Sequence, residues 1–245
     1  MFQYASLLGI ASNREFEWGV PAKESFGSHY PLRSNLYDCF ELGSVEVHED
    51  HSLENLSESI HGFDRSLFDS CPDNVNLNGY LQSYLYFRDI ESEIREDFSF
   101  KAEVVQRGEE FCSSLPSEYI SMHFRKTDYM ALQDHMPPLP MSYYEEALHL
   151  LDDSLSVVVS SDDIGWCREQ PELGSERFIF SENNSYVDLY TMTKAKANII
   201  ANSTFSWWGA WLNKDSYVIM PNSWFGPAVG PFDMDNFTYP GWITL

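Results

Sequence analysis

The sequence predicts an α/β protein whose second half is a mainly parallel, Rossmann-like sheet. From residue 119 onward, five short β-branched or apolar runs alternate with helical stretches, and strands that alternate with helices build parallel sheets covered on both faces. The chain also has the apolar material for such a core: of 245 residues, 43% are hydrophobic and 16% aromatic, which is not the composition of a disordered acidic chain.

The buried strands are read at 119–124, 155–160, 177–180, 198–201 and 217–220. Between them, Ser142-Tyr143-Tyr144-Glu145 has the form of a capping box opening a helix that runs to Leu151. Further helices are read at 164–169, 187–196 and 205–212. The first half is less regular. Residues 1–11 read as a helix, 13–50 as mixed and turn-rich, and the acidic stretch 45–58 as solvated surface. Residues 80–98 and 100–115 read as helical, with Arg88, Glu91, Glu93, Arg95 and Glu96 on polar faces. The boundary is drawn at 117/118, giving a first domain of residues 1–117 and a second of 118–245.

Charge excludes whole classes of function. With 15 Lys and Arg against 38 Asp and Glu the formal charge is −23, whereas binding nucleic acid or anionic lipid as a main activity needs a positive field. No run of 18 apolar residues occurs and the first residues lack a basic lead. The chain therefore reads as having neither a transmembrane anchor nor a signal peptide, and a cytoplasmic location, peripheral to a membrane at most, is expected. Cys39, Cys71, Cys112 and Cys167 are widely spaced with no Cys-x-x-Cys pair, so they read as buried free thiols rather than a zinc site.

Ligands of open parallel sheets bind at the carboxyl ends of the strands. After the first strand come His123, Arg125, Lys126, Asp128 and Tyr129; after the second, Ser160, Ser161, Asp162 and Asp163; after the fourth, Asn202, Ser203, Thr204, Phe205 and Ser206. Adjacent cations, hydroxyl and amide groups ahead of a helix N-terminus, and aromatic surface together suit a ligand carrying both phosphate and a ring. Lys194 and Lys196 precede the hydroxyl-rich loop and read as further cations for the same anion. The competing reading is that Arg125 and Lys126 are spent on neighbours such as Asp128.

Other chemistries are disfavoured. There is no Gly-x-Gly-x-x-Gly, no P-loop and no Gly-x-Ser-x-Gly elbow. The Asp162-Asp163 pair invites a metal reading, but Asp163 is also placed to cap the helix that starts at Ile164. His123 reads as a hydrogen-bonded core histidine, and Trp207, Trp208 and Trp211 read as core, with at most one ring of that helix facing a ligand.

The segments His123-Phe124-Arg125-Lys126-Thr127-Asp128-Tyr129, Ser161-Asp162-Asp163-Ile164-Gly165-Trp166-Cys167 and the run from Asn198 through Asn202-Ser203-Thr204-Phe205-Ser206 to Leu212 resemble the α-1,2-fucosyltransferase family. Shorter matches lie at Met1-Phe2-Gln3-Tyr4-Ala5, Cys39-Phe40-Glu41-Leu42 and Gly79-Tyr80-Leu81-Gln82-Ser83. The resemblance implies a GT-B-like glycosyltransferase with two Rossmann-like lobes, transferring L-fucose from GDP-β-L-fucose to a galactose-type hydroxyl with inversion and without an essential metal or other cofactor. Its implied partners are a GDP-sugar donor and a glycan or polysaccharide acceptor. The implied catalytic residues are Arg125, set against the diphosphate by the family's His-x-Arg-Arg-x-Asp motif, and Asp128. The implied donor-binding set is His123, Arg125, Lys126, Asp162, Asp163, Asn202, Ser203, Thr204, Phe205 and Ser206. Two departures are expected to matter. Lys126 replaces the motif's second arginine and loses the planar fork. The family's opening strand and Gly-Gly-Leu-Gly-Asn-Gln loop, which precede its Met-Phe-Gln-Tyr-Ala, have no counterpart here, so the N-terminal lobe is expected to be incomplete.

Overall fold

In the computed structural model, which describes residues 1–21, 23, 31–43 and 52–245, the chain divides into two units: Met1–Lys101 with Asp235–Phe237, and Ala102–Met234 with Thr238–Leu245. The division falls at Lys101, ahead of the 117/118 boundary read from the sequence. Of the acidic stretch 45–58, residues 45–51 lie outside the described residues.

The first unit opens with helix α1 (Phe2–Arg14), which buries Phe2, Tyr4, Ala5, Leu8, Ile10 and Ala11 and stops where Glu15 turns left-handed at φ 56°. Gly9 is required by close approach, because a Cβ there would strike the Tyr86 carbonyl. Helix α2 (Pro31–Cys39) follows. Strand β1 (Glu54–Ser57), helix α3 (Arg65–Ser70) and strand β2 (Val75–Asn78) form one parallel crossover, with the Asp64 carboxylate capping α3 by accepting from the Leu67 N–H at 3.0 Å. Helix α4 spans Glu91–Asp97. The continuous helix expected over 80–98 is instead two single 3-10 turns, Tyr84–Tyr86 and Arg88–Ile90, ahead of α4. Leu81 at φ 49° cannot continue a helix, and Glu58 takes the Tyr80 and Leu81 N–H groups at 2.8 and 2.9 Å. Of the two Rossmann-like lobes expected, the described residues of this unit form the single β1–α3–β2 crossover.

The second unit is the Rossmann-like sheet. It runs through α5 (Ala102–Ser113), β3 (Tyr119–Phe124), α6 (Met141–His149), β4 (Ser156–Ser161), α7 (Ile164–Arg168), β5 (Phe178–Phe180), α8 (Ser185–Met192), β6 (Ala197–Ile199), α9 (Thr204–Leu212), β7 (Tyr217–Met220) and β8 (Ile243–Thr244). All neighbouring strands pair in parallel, in the order β5-β4-β3-β6-β7-β8. The five strands read from sequence are present within a residue or two. The sixth, β8, is two residues long and leaves no periodic signal to read.

Alternation along β3 builds the two faces. Ile120, Met122 and Phe124 pack with Val157 and Val159 against Tyr143, Tyr144 and Ala147 of α6 and Cys167 of α7. Tyr119 and Val158 meet Ala195 on the opposite face, against Phe111 and Leu115. Trp207, Trp208 and Trp211 of α9 are all buried core. The capping box is not formed: Ser142 lies inside α6, whose N-cap is Pro140 with no side-chain cap bond. Pro140 holds the extended φ of −71° and ψ of 154°, so the helix begins at the next residue and Ser142 is two positions too late to cap it.

Helix α5 joins the second unit because it packs against α8, and Gly108 lets the two helices meet over the buried Tyr190 ring. Replacing Gly108 with Ala puts a methyl group into that ring; the overpacking cost of ~1–3 kcal/mol exceeds the helix-propensity gain of ~1 kcal/mol. We expect a net loss of up to ~2 kcal/mol on these scales, read as a lower urea midpoint at unchanged m-value.

Candidate functional site

Strand order reverses between β3 and β6: from β3 the chain builds outward through β4 and β5, and from β6 it builds the other way through β7 and β8. The crevice outside the carboxyl ends of the two strands at such a reversal is where open α/β sheets bind ligands. Two of the three loops singled out from the sequence, after β3 and after β6, flank that crevice, and the third follows the adjacent β4.

The loop after β3 carries the cations. The Arg125 guanidinium lies 2.9 Å from the carboxylate of Asp128 and 3.4 Å from Asp162, over the ring of Tyr129 at 5.5 Å. The competing reading of Arg125 as a paired residue is thus met, yet 31% of its side chain stays exposed. Lys126 faces elsewhere, with its ammonium 3.8 Å from the centroid of the Trp166 indole. Asp162 is bound within the protein: it accepts from the Lys126 N–H at 2.9 Å, from the Thr127 N–H at 3.1 Å and from the Thr127 hydroxyl. Burial alone would raise the Asp162 pKa, but these hydrogen bonds and the Arg125 charge hold it below the usual carboxylate range. Asp163 caps α7 as expected, accepting from the Trp166 N–H at 3.0 Å.

The loop after β6 is braced by amide and tyrosine groups. Asn202 is buried and donates to the carbonyls of Pro137 and Trp224, both at 3.0 Å, while its own carbonyl accepts from the Tyr129 hydroxyl at 2.9 Å, tying the two loops together. Ser203 is the N-cap of α9 without a side-chain cap bond, so the first-turn N–H groups of Thr204, Phe205 and Ser206, which have no acceptor within a helix, mark a positive helix end beside this loop. The Ser206 hydroxyl, by contrast, is fully buried and donates to the Ala201 and Ser203 carbonyls at 3.5 and 3.3 Å; only its backbone can serve a ligand. Phe205 is half-buried against the His123 ring, centroid to centroid 5.2 Å.

Lys194 and Lys196 are not part of this crevice. Lys196 immediately precedes β6 and pairs with Glu118 at 2.8 Å, at the amino end of the strands, and Lys194 lies over the Tyr190 ring. About six extended residues, ~20 Å of strand, separate the amino end from Asn202 at the carboxyl end.

A row of buried polar groups completes the carboxyl edge. His123 sits opposite Ser160 in the β3–β4 register, and Ser181 follows the Val159–Phe180 pair of β4 and β5. His123 Nδ1, Ser160 Oγ and Asn202 Oδ1 are buried without a hydrogen-bond partner. Burial lowers the His123 pKa to about 3, helped by Arg125 and opposed by Asp162, so the imidazole is neutral. Asp188, on α8, accepts from the Ser181 hydroxyl at 2.5 Å; burial raises its pKa to about 6, against the effect of that hydrogen bond. Ser181 was legible, because it directly follows a strand in the alternating pattern. Asp188 was not, since only tertiary packing buries it. Among the described residues no group of three or more His, Cys, Asp or Glu gathers to hold a metal, and no helix is long and apolar enough to cross a membrane.

The profile of Glycosyl transferase family 11 matches residues 53–245. The O-antigen biosynthesis glycosyltransferase WbnK of Escherichia coli is 35% identical over 137 residues, covering 51% of this chain and 44% of that protein. An α-1,2-colitosyltransferase of Escherichia coli is 32% identical over 185 residues, covering 70% of this chain and 61% of that protein. The matched regions thus span about half the length of these relatives. Among solved structures, the fucosyltransferase NodZ from Bradyrhizobium superposes with a TM-score of 0.55 at 14% identity, covering 85% of this chain and 87% of that one, which supports the GT-B-like α/β fold. Because the matched residues include the whole six-stranded sheet and every loop of the crevice, the chain belongs to glycosyltransferase family 11.

Proposed function

We propose that this protein transfers L-fucose from GDP-β-L-fucose to a galactose-type hydroxyl of a glycan or polysaccharide, forming an α-1,2 linkage with inversion. The observation that carries the reading is the exposed part of Arg125 and the uncapped N-terminus of α9 at one strand-order reversal, in a protein of formal charge −23. A cation and a positive helix end on so acidic a chain suit a diphosphate.

In the proposed reaction the acceptor oxygen forms a bond to the anomeric carbon while the bond from that carbon to the β-phosphate oxygen breaks, and the bonding pair leaves with GDP. Arg125 and the α9 N–H groups stabilise the charge that develops on the phosphate, so the step has no need of a metal. The acceptor proton passes to a carboxylate; Asp128, half-exposed and bonded to Arg125, is the candidate. The guanine base occupies the polar row, where Ser160 and His123 present unpaired atoms and the Asp188 carboxylate suits its N–H groups. The colitosyltransferase relative favours a second donor reading, a GDP-linked sugar other than fucose.

GDP-fucose is expected to raise the melting temperature; at a hundred times Kd the stabilisation is ~2.7 kcal/mol. A screen of GDP-fucose, GDP-mannose and GDP-colitose then identifies the donor by turnover. Arg125→Ala, with its fold checked by circular dichroism, should lose ~10²–10³-fold in kcat, and wild-type turnover in that variant would refute the assigned role.

Asp188 gives a prediction with a definite sign. Its pKa is ~3.9 unfolded and about 6 folded, so the folded state is penalised as pH rises through this window, by ~2–3 kcal/mol once both states are ionised. Asp188→Asn keeps an acceptor for Ser181 and removes the charge. It should be more stable than wild type at pH 7.5, with the gain gone near pH 4, while binding GDP ~10-fold or more weakly through loss of a charged hydrogen bond. Calorimetry and urea unfolding at both pH values measure the pair of effects; His123 titrates in both proteins and cancels in the difference.

A further inference from the structure

Asp162 sits one residue beyond the Phe124–Ser161 pair that ends the β3–β4 ladder, so its side chain leaves β4 beside the loop after β3. Among the described residues its hydrogen-bond and ion-pair partners belong to that loop: the backbone N–H groups of Lys126 and Thr127, the Thr127 hydroxyl and the Arg125 guanidinium. Its side chain is only 18% exposed. A carboxylate whose two oxygens already accept three hydrogen bonds and face an arginine has little capacity left for a nucleotide hydroxyl, and its charge near a diphosphate would be repulsive if Arg125 did not balance it. The neighbouring Asp163 is spent on α7, so the two adjacent carboxylates divide between two tasks.

We propose that Asp162 is a positioning residue: it fixes the backbone of the loop after β3 and aims Arg125, and it makes no contact with the donor. The role rests on the reading of Arg125 as the group that meets the diphosphate. Arg125 has a second carboxylate in Asp128, but that residue lies on the same loop, in the 3-10 turn Asp128–Ala131, and moves with it. Asp162 comes from a different strand and ties the loop to the sheet. A guanidinium held by two carboxylates from two elements is restricted in both position and tilt, which is what stabilising a developing charge requires.

The test is a double-mutant cycle of Asp162→Asn and Arg125→Ala, with calorimetric GDP affinity and steady-state kinetics with GDP-fucose as readouts. In the Arg125 background, Asp162→Asn is expected to weaken GDP ~10-fold and to lower kcat by more than it raises KM, because Arg125 contributes most as charge develops. With Arg125 replaced by Ala, the same substitution is expected to change GDP affinity by less than about twofold, the range expected of a site that no longer couples. Thr127→Val removes only the hydroxyl donor to Asp162 and should show the same dependence on Arg125 at smaller size, which keeps the proposal testable if Asp162→Asn does not fold. Equal losses in both backgrounds would mean that Asp162 touches the donor or merely supports the fold, and would overturn the proposal. GDP binding by wild type with no loss in Asp162→Asn would overturn the role of Asp162 alone. Absence of GDP binding by wild type would overturn the donor reading and this role with it.

Discussion

Parallel strands joined by helical crossovers all leave the sheet at the same edge, so the loops that follow them collect there whatever their separation in sequence. In this chain the strand order β5-β4-β3-β6-β7-β8 adds a reversal at β3 and β6, where successive crossovers cover opposite faces and leave a crevice. The rest of the site depends on that constraint. Residues 125 and 204, far apart in the chain, come to the carboxyl ends of neighbouring strands only because β3 and β6 are hydrogen-bonded in register from Ile120 and Ala197. Tyrosine hydroxyls then lock the edge: Tyr129 to the Asn202 carbonyl, Tyr143 to Ile200 and Ile219, and Tyr144 to His123.

The carboxyl edge is also where the fold accepts unfavourable groups. His123 is kept neutral by burial, Asp188 is held in a site that disfavours its charge, and Ser160 and Asn202 keep unpaired oxygens. Each arrangement costs folding free energy and none is needed to close the sheet, whose core is carried by apolar residues on both faces. Perturbed groups gathered at one strand edge are the physical mark of a binding site.

Charge follows the same geography. Arg125 and Lys126 are adjacent in sequence but turn to different partners: Arg125 to two carboxylates and Lys126 to the Trp166 indole. Lys194 and Lys196, grouped with them by sequence proximity to Asn202, lie before β6 rather than after it. A strand reverses the expectation, because about six extended residues carry the chain from the amino end of the sheet to its carboxyl end.

The sequence by itself determined the alternation of elements, and with it the parallel sheet, the five longer strands, the free buried thiols Cys39, Cys71 and Cys167, the Asp163 cap and the loops that bear the site, whereas Cys112, also read as buried, is a free thiol only half-buried. These follow from side-chain periodicity and local hydrogen bonding, which a linear chain records. Only the tertiary structure decided the order of the strands, the start of α6 after Pro140 instead of at Ser142, the breaking of the 80–98 helix at Leu81 and the placement of α5 with the second unit. It also decided which polar residues meet. Asp188 reaches Ser181 and Asp162 reaches Arg125 through contacts between elements, and the causes of their opposite shifts, burial that raises the Asp188 pKa and the Thr127, Lys126 and Arg125 partners that lower that of Asp162, are properties of the packed sheet that no local pattern carries.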